Sequence, residues 1–259
     1  MKKNILERIV ENKKKELKYR KKEFPLEKLK VRIRKKNNKN FFKSALKRKN
    51  VSLIAELKRK SPSLGLIKQD FDHTKIAQKY EESGADAISV LTDKKFFQGN
   101  IEFIEDIKNR INIPILRKDF IIDSYQVYES KAFGADAILL IAAILPLNKL
   151  KELKQVADEL NLDCLIEVNS YSEIEAAIDA GAEIIGINNR DLKTMEIDIN
   201  TFENLSRHIP EEIVKVSESG IFSRSDVLKV KLAGADAVLV GTSLMTSKNI
   251  EKKIRELKI

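Results

Sequence analysis

Glu56 and Lys58 stand two residues apart at the end of an apolar run in which Val51, Leu53, Ile54 and Ala55 read as a buried strand. On a strand that spacing puts both side chains on one side of the pleat, at the point where the chain leaves the core. Ser61-Pro62-Ser63 with Gly65 reads as the loop that follows. A carboxylate beside an ammonium at such a place can move protons, or can be a surface ion pair. A second carboxylate, Glu167, lies inside an apolar run between Ile166 and Val168. Unpaired burial of a charge is costly, so Glu167 must face a partner or a polar cavity, which suits a general base. Lys118, in Arg117-Lys118-Asp119 after another apolar run, offers a cationic acid to converge with it. Asp119, its neighbour, should point the other way and tether a loop.

Polar residues also close the later runs: Asn188-Asn189-Arg190-Asp191, Ser217-Glu218-Ser219-Gly220 and Gly241-Thr242-Ser243. Ser219-Gly220-Ile221 before a helical pattern and Gly241-Thr242-Ser243 opening a turn offer backbone N–H groups of the kind that bind phosphate. His73 and His208 fall on helical surface patterns and read as solvated. There is no His/Cys/Asp cluster with ligand spacing, so no metal is expected.

The elements that must position these groups show as an internal repeat. Gly84-Ala85-Asp86, Gly134-Ala135-Asp136, Gly181-Ala182-Glu183 and Gly234-Ala235-Asp236 recur about every 50 residues, each between a helical pattern and an apolar run. Glycine suits the helix C-terminus, and the run after it is a strand. The four runs are Ala87 to Leu91, Ala137 to Ile141, Ile184 to Ile187 and Ala237 to Val240; four more lie between them, at Val51 to Ala55, Pro114 to Leu116, Cys164 to Val168 and Ile213 to Val216. Eight near-continuous apolar strands alternating with helices imply an α/β fold, a closed (β/α)8 TIM barrel with its chemistry at the C-terminal strand ends. An open doubly wound sheet is the alternative, disfavoured because no Gly-x-Gly-x-x-Gly follows a strand.

Residues 1–50 precede the first strand as a helical extension, with Ile5, Ile9 and Val10 on one face and another short helix over Phe41 to Leu46. The whole, 1–259, reads as a single domain, with the barrel at 51–259. The net charge of +10 raises the question of nucleic acid. The lysines crowd the extension (Lys13 to Lys15, Lys21, Lys22, Lys35, Lys36), without interleaved aromatics that stack bases, so a solvated surface with a mild pull on anions is expected. No run approaches a membrane span, and the N-terminus has no apolar h-region of a secretory signal. The lone Cys164 lies in an apolar run and reads as a buried thiol of a reducing cytoplasm.

As a set, the motifs resemble those of the indole-3-glycerol phosphate synthase family. The pieces are Ile54-Ala-Glu-Leu-Lys-Arg-Lys-Ser-Pro-Ser63, Phe96-Phe-Gln-Gly99, Leu116-Arg-Lys-Asp-Phe120, Leu165-Ile-Glu-Val168, Gly186-Ile-Asn-Asn-Arg-Asp-Leu192, Ser217-Glu-Ser-Gly-Ile221 and Gly241-Thr-Ser-Leu-Met245. They run in order from first strand to last, and the helical extension also resembles the family's. The resemblance implies cofactor-free ring closure, decarboxylation and dehydration of 1-(2-carboxyphenylamino)-1-deoxyribulose 5-phosphate in tryptophan biosynthesis. It implies Lys118 as the acid that protonates the substrate carbonyl and Glu167 as the base of the later proton removal. Glu56 would orient its neighbours or share transfers, and Lys58 would bind an anionic end or exchange acid roles with Lys118. Asn188 and Ser219 would hold hydroxyls and the intermediate, while Ser61 and Arg190 would contact the anthranilate carboxylate or brace loops. Phe97, Phe120, Leu139 and Leu192 would flank the ring, with Glu218 also at the substrate. Gly220, Gly241 and Thr242, with Lys58, would hold the phosphate.

The implied partner is this small phosphosugar-anthranilate substrate, with no nucleic acid and no membrane. The expected state is a monomer, with a weak homodimer as the alternative. Two rival readings stand beside it. One is a related phosphosugar isomerase or epimerase, which would pair a Cys or Asp acid and base at strand ends. The other is a basic nucleic-acid-binding protein on a barrel scaffold.

Overall fold

The computed structural model describes residues 4–33, 41–191 and 194–259. Eight parallel strands close on themselves: β1 (Ser52–Leu57), β2 (Ala87–Leu91), β3 (Ile115–Lys118), β4 (Ala137–Ile141), β5 (Asp163–Val168), β6 (Ile184–Asn188), β7 (Val214–Glu218) and β8 (Ala237–Val240). Each pairs with its neighbours in chain order, and β8 returns to β1 with Ala237 opposite Ser52 and Val240 opposite Ala55. That last pairing makes the barrel and excludes the open sheet.

Strand parity sorts the apolar residues into two cores, because alternate side chains face opposite ways. Ile54, Leu116, Leu139, Leu165, Val216 and Leu239 fill the interior. Leu53, Ile88, Ile138, Ile166, Ile185 and Val238 face the helices and join the larger outer core. Continuing the inward parity toward the C-terminal ends reaches Glu56, Lys118, Glu167, Asn188 and Glu218. The last inward position of five strands is therefore polar.

The connecting helices include α4 (His73–Glu82), α7 (Ser124–Phe133), α8 (Leu147–Glu159), α9 (Tyr171–Asp179), α11 (Arg224–Leu232) and α13 (Ile250–Leu257). Each starts at a side-chain cap or a proline: Asp72, Asp123, Pro146, Ser170, Ser223 and Asn249. The repeated glycine works as expected after α7, where Gly134 (φ 93°) ends the helix in the left-handed region. The short α5 (Lys94–Phe97), α6 (Glu102–Lys108), α10 (Asn200–Ser206) and α12 (Thr242–Met245) complete the circuit. No helix among the described residues is long and apolar enough to cross a membrane.

The N-terminal segment serves both ends of the barrel. α1 (Ile5–Glu23) opens on a capping box in which Asn4 and Glu7 satisfy each other's backbone N–H, and α2 (Leu26–Arg32) follows Pro25. α1 is fixed to the C-terminal side by Arg20 to Glu129 (2.6 Å), Lys21 to Asp123 (2.8 Å) and the Tyr125 hydroxyl donating to the Phe24 carbonyl (2.7 Å). α3 (Phe41–Leu46) plugs the opposite end: Phe42 and Leu46 join the interior core, and Ser52 Oγ donates to the carbonyls of Ala45 and Leu46. Two expectations are corrected here. Lys13 is not a solvated lysine but one of the most buried side chains of α1. His73 is half-buried, stacked on Phe103 and 2.9 Å from Asp106, because the start of α4 packs against α6. His208 is exposed and Cys164 buried, as read from the sequence.

Candidate active site

Carboxylates at the C-terminal ends of β1, β5 and β7 converge on one ammonium, that of Lys118 at the end of β3. Lys118 Nζ lies 2.5 Å from Glu218 Oε2, 3.6 Å from Glu167 Oε2 and 3.9 Å from Glu56 Oε1. Lys58 Nζ lies 2.6 Å from the other oxygen of Glu56. Asn188 Nδ2 donates to Glu167 Oε1 at 3.1 Å, while Asn188 Oδ1 accepts from the Arg190 backbone N–H. The three carboxylates are nearly inaccessible, so their charges depend on these partners.

Burial alone would lower the Lys118 pKa, but Glu218, Glu167 and Glu56 outweigh it and hold the ammonium above its ordinary range. Burial would raise Glu56, yet Lys58 and Lys118 prevail and lower it. Glu218 shows the opposite balance: burial dominates, Lys118 opposes it, Glu167 and Glu56 add to it, and the carboxyl is pushed up to about 7. Its second oxygen, Oε1, accepts no hydrogen bond. A carboxyl that exchanges its proton near neutrality, touching a cation that keeps its own, is equipped for proton transfer.

Two glycines make room for this cluster. A Cβ on Gly186 would stand 2.1 Å from Glu218 Oε1, and one on Gly241 would stand 2.0 Å from Glu56 Oε2. Gly241 thus has a steric reason of its own beside the expected phosphate role.

The cluster floors a cavity whose wall is apolar. Phe97 from α5 and Phe120 after β3 lie with ring centroids 6.1 Å apart, and Leu139 borders the same space. Ile5, Leu6 and Ile9 of α1 close it from above. On the far side, the loops after β7 and β8 present Ser219-Gly220 and Gly241-Thr242. Ser219 (φ 66°) and Gly220 (φ 78°) are both left-handed, a strained pair for a non-glycine residue. Asn189 holds it, donating from Nδ2 to the Ser219 carbonyl and to Ser217 Oγ, both at 3.0 Å. Ser243 Oγ ties the two loops by donating to the Ile221 carbonyl.

Ser61 Oγ accepts from the Leu64 N–H within a small hairpin, Lys60–Ser61 pairing antiparallel with Gly65–Leu66, where the sequence suggested a plain loop. Arg190 Nη1 donates to the Met195 carbonyl, bracing the loop after β6 at the rim.

A sequence profile described as indole-3-glycerol phosphate synthase matches residues 6–257. The chain belongs to the indole-3-glycerol phosphate synthase family. It is 48% identical over 237 residues to the indole-3-glycerol phosphate synthase of Endomicrobium trichonymphae, covering 92% of each chain. With that of Alkaliphilus metalliredigens it shares 45% identity over 255 residues and 98% of each chain. With that of Acetivibrio thermocellus the figures are 50% over 218 residues and 84% of each. Among solved structures, 3-hexulose-6-phosphate synthase from Salmonella typhimurium superposes with a TM-score of 0.66 at 15% identity, over 80% of this chain and 96% of that one. That likeness speaks for the barrel alone.

Of the residues expected to form an indole-3-glycerol phosphate synthase site, Glu56, Lys58, Lys118, Glu167, Asn188, Ser219, Ser61, Phe97, Phe120, Leu139, Arg190, Gly220, Gly241 and Thr242 all border this one cavity. Glu218 enters through its contact with Lys118. Leu192 lies outside the described residues. Asp119 faces away from the cluster, as its position after Lys118 suggested, and it tethers the loops at Thr92 and Phe120 and also α1 through Lys13. Sequence reasoning missed Gly186, Asn189 and the contribution of α1. Ile5 and Ile9 were visible as an apolar stripe, but nothing local showed which surface that stripe covers. Among the described residues no group of three or more His, Cys, Asp or Glu is arranged to hold a metal ion.

Proposed function

We infer that this chain closes the indole ring of 1-(2-carboxyphenylamino)-1-deoxy-D-ribulose 5-phosphate, releasing carbon dioxide and water to give indole-3-glycerol phosphate, a step of tryptophan biosynthesis. The observation that carries the residue assignment is the Lys118 ammonium held among Glu218, Glu167 and Glu56 beneath an aromatic wall. Lys118 protonates the ketose carbonyl as the ring carbon attacks it. A cation placed where the alkoxide develops lowers that barrier without reorganising solvent. The apolar wall of Phe97, Phe120 and Leu139 favours loss of the ring carboxylate as neutral carbon dioxide. Glu167, oriented by Asn188, removes the later proton and assists departure of water. Lys58, bound to Glu56, attracts an anionic end of the substrate or exchanges acid roles with Lys118. The phosphate rests on the backbone of Ser219-Gly220 and Gly241-Thr242. Ser61 and Arg190 meet the anthranilate carboxylate or brace the rim. The chemistry calls for no metal or organic cofactor.

The net charge of +10 favours capture of this multiply anionic substrate over binding of nucleic acid. Residues 1–259 act as one domain, since α1 and α3 supply walls at both barrel ends, and the protein works as a cytoplasmic monomer or weak homodimer.

The chain has no Trp, so indole fluorescence appearing on addition of substrate reads turnover directly. Turnover is expected without added metal, and Lys118→Ala and Glu167→Gln are each expected to lose about 10²- to 10⁴-fold in kcat, the usual worth of a general acid or base. A folded protein that forms no indole product, or a fully active Glu167→Gln, overturns the assignment.

A further inference from the structure

Lys13 lies on the buried stripe of α1 with Ile9 and Leu17, its side chain 2% exposed. Its ammonium stands 2.9 Å from Asp119 Oδ1, 3.0 Å from Asp93 Oδ2 and 3.1 Å from Glu16 Oε2. Burying such a cluster carries a large desolvation cost for each ion before pairing, and an apolar side chain of similar volume often serves stability as well. Stability is therefore a weak reason for a lysine here.

The two aspartates suggest a better one, because each fixes a different part of the cavity wall. Asp93 Oδ1 caps α5 by accepting from the Phe96 N–H at 2.8 Å, and α5 carries Phe97. Asp93 Oδ2 accepts no aligned hydrogen bond, so the neighbouring ammonium offsets its burial. Asp119 Oδ1 accepts from the Phe120 N–H at 2.8 Å, and Asp119 Oδ2 accepts from Thr92 and Arg117. From the same helix, Ile5, Leu6 and Ile9 reach the cavity one to two turns before Lys13.

We propose that Lys13 is a positioning residue that locks α1, Phe97 and Phe120 into one preformed apolar wall, the part of the site that receives the aromatic ring of the substrate. Preorganising that wall saves the ordering cost that binding would otherwise carry. Lys13 touches none of the acid–base cluster, so its loss acts on binding more than on the chemical steps. The identity of the ring rests on the ring-closure reading above; the latch itself does not.

The test uses the full chain as Lys13→Met, and as Lys13→Met/Asp93→Asn, which also removes the orphaned acid. In both folded variants KM rises about tenfold while kcat stays within about twofold of wild type, the signature of lost uniform binding. Trypsin cleaves faster at the exposed Lys14, Lys15 and Lys18 of α1, and saturating substrate slows that cleavage. A folded double variant with wild-type KM, a loss confined to kcat, or unchanged cleavage of α1 overturns the proposal. If the wild type forms no indole product, the ring-closure reading fails, and the trypsin comparison still decides the latch.

Discussion

Lys118 Nζ and Glu218 Oε2 meet at 2.5 Å at the closed end of the cavity, and the carboxyl of this pair is the one pushed up to about 7. The physical consequence is a proton held at Glu218 in the folded chain over a range where the unfolded chain has released it, between the ordinary 4.5 and about 7. Stability contributed this way is fully present below 4.5, falls as pH rises through the window, and is flat above about 7. Glu56 works in the other direction, since burial is outweighed by Lys58 and Lys118 and its pKa is lowered. Its contribution is lost on acidification. In urea titrations at intervals from pH 5 to pH 8, Glu218→Gln is expected to flatten the decline that wild type shows toward neutral pH. Ionisation of Glu218 also adds a negative charge facing an anionic substrate, so wild-type KM should rise through about pH 7 and the variant's should not. Identical pH slopes in the two proteins would remove Glu218 from this role.

Gly186 and Gly241 give a prediction that separates activity from folding. Each would place a Cβ about 2 Å from a carboxylate oxygen, of Glu218 and Glu56 respectively, and each of those oxygens ends a side chain that can rotate away. The fold can therefore absorb the extra methyl, but the acid–base geometry cannot. Gly186→Ala and Gly241→Ala should retain the wild-type far-UV circular dichroism while losing about 10²-fold or more in kcat, the scale of effect expected when reacting groups shift by an ångström. Full kcat in either variant would show that the carboxylate positions are not critical.

The barrel was legible because its signal is local and repeated. Gly134 ends α7, Ala137 to Ile141 follows as β4, and the same grammar recurs around the chain. The candidate site was legible for a related reason: inward parity on a strand carries Ile54 to Glu56 and Leu165 to Glu167 without any tertiary information. What stayed hidden depends on contacts between distant segments. Lys13 looks like one lysine in a run of three, and only its phase with Ile9 and Leu17 hints that it faces inward. Its meaning comes from Asp93 and Asp119, which the docking of α1 brings to it. Gly186 reads as an ordinary strand glycine until Glu218, on the next strand, is seen lying over it.

The plug at the far end provides a contrast to the candidate catalytic face. Phe42 is fully buried within the interior core, and α3 is held there by Ser52 and by the Lys43 N–H donating to Asp163 at 2.9 Å. Ser52 and Asp163 begin β1 and β5, so this end lies a strand's length from Glu56 and Glu167. Phe42→Ala empties a volume that the rigid barrel cannot collapse to fill, at a cost of about 3 to 5 kcal/mol. For a chain of this size that corresponds to a fall in Tm of roughly 10 °C. Below the new transition, kcat and KM should stay close to wild type because no group of the cluster has moved. A thermal melt paired with steady-state kinetics checks both halves. An unshifted Tm would mean that α3 does not seal the barrel, and a large loss of kcat in the folded variant would mean that the two ends are coupled.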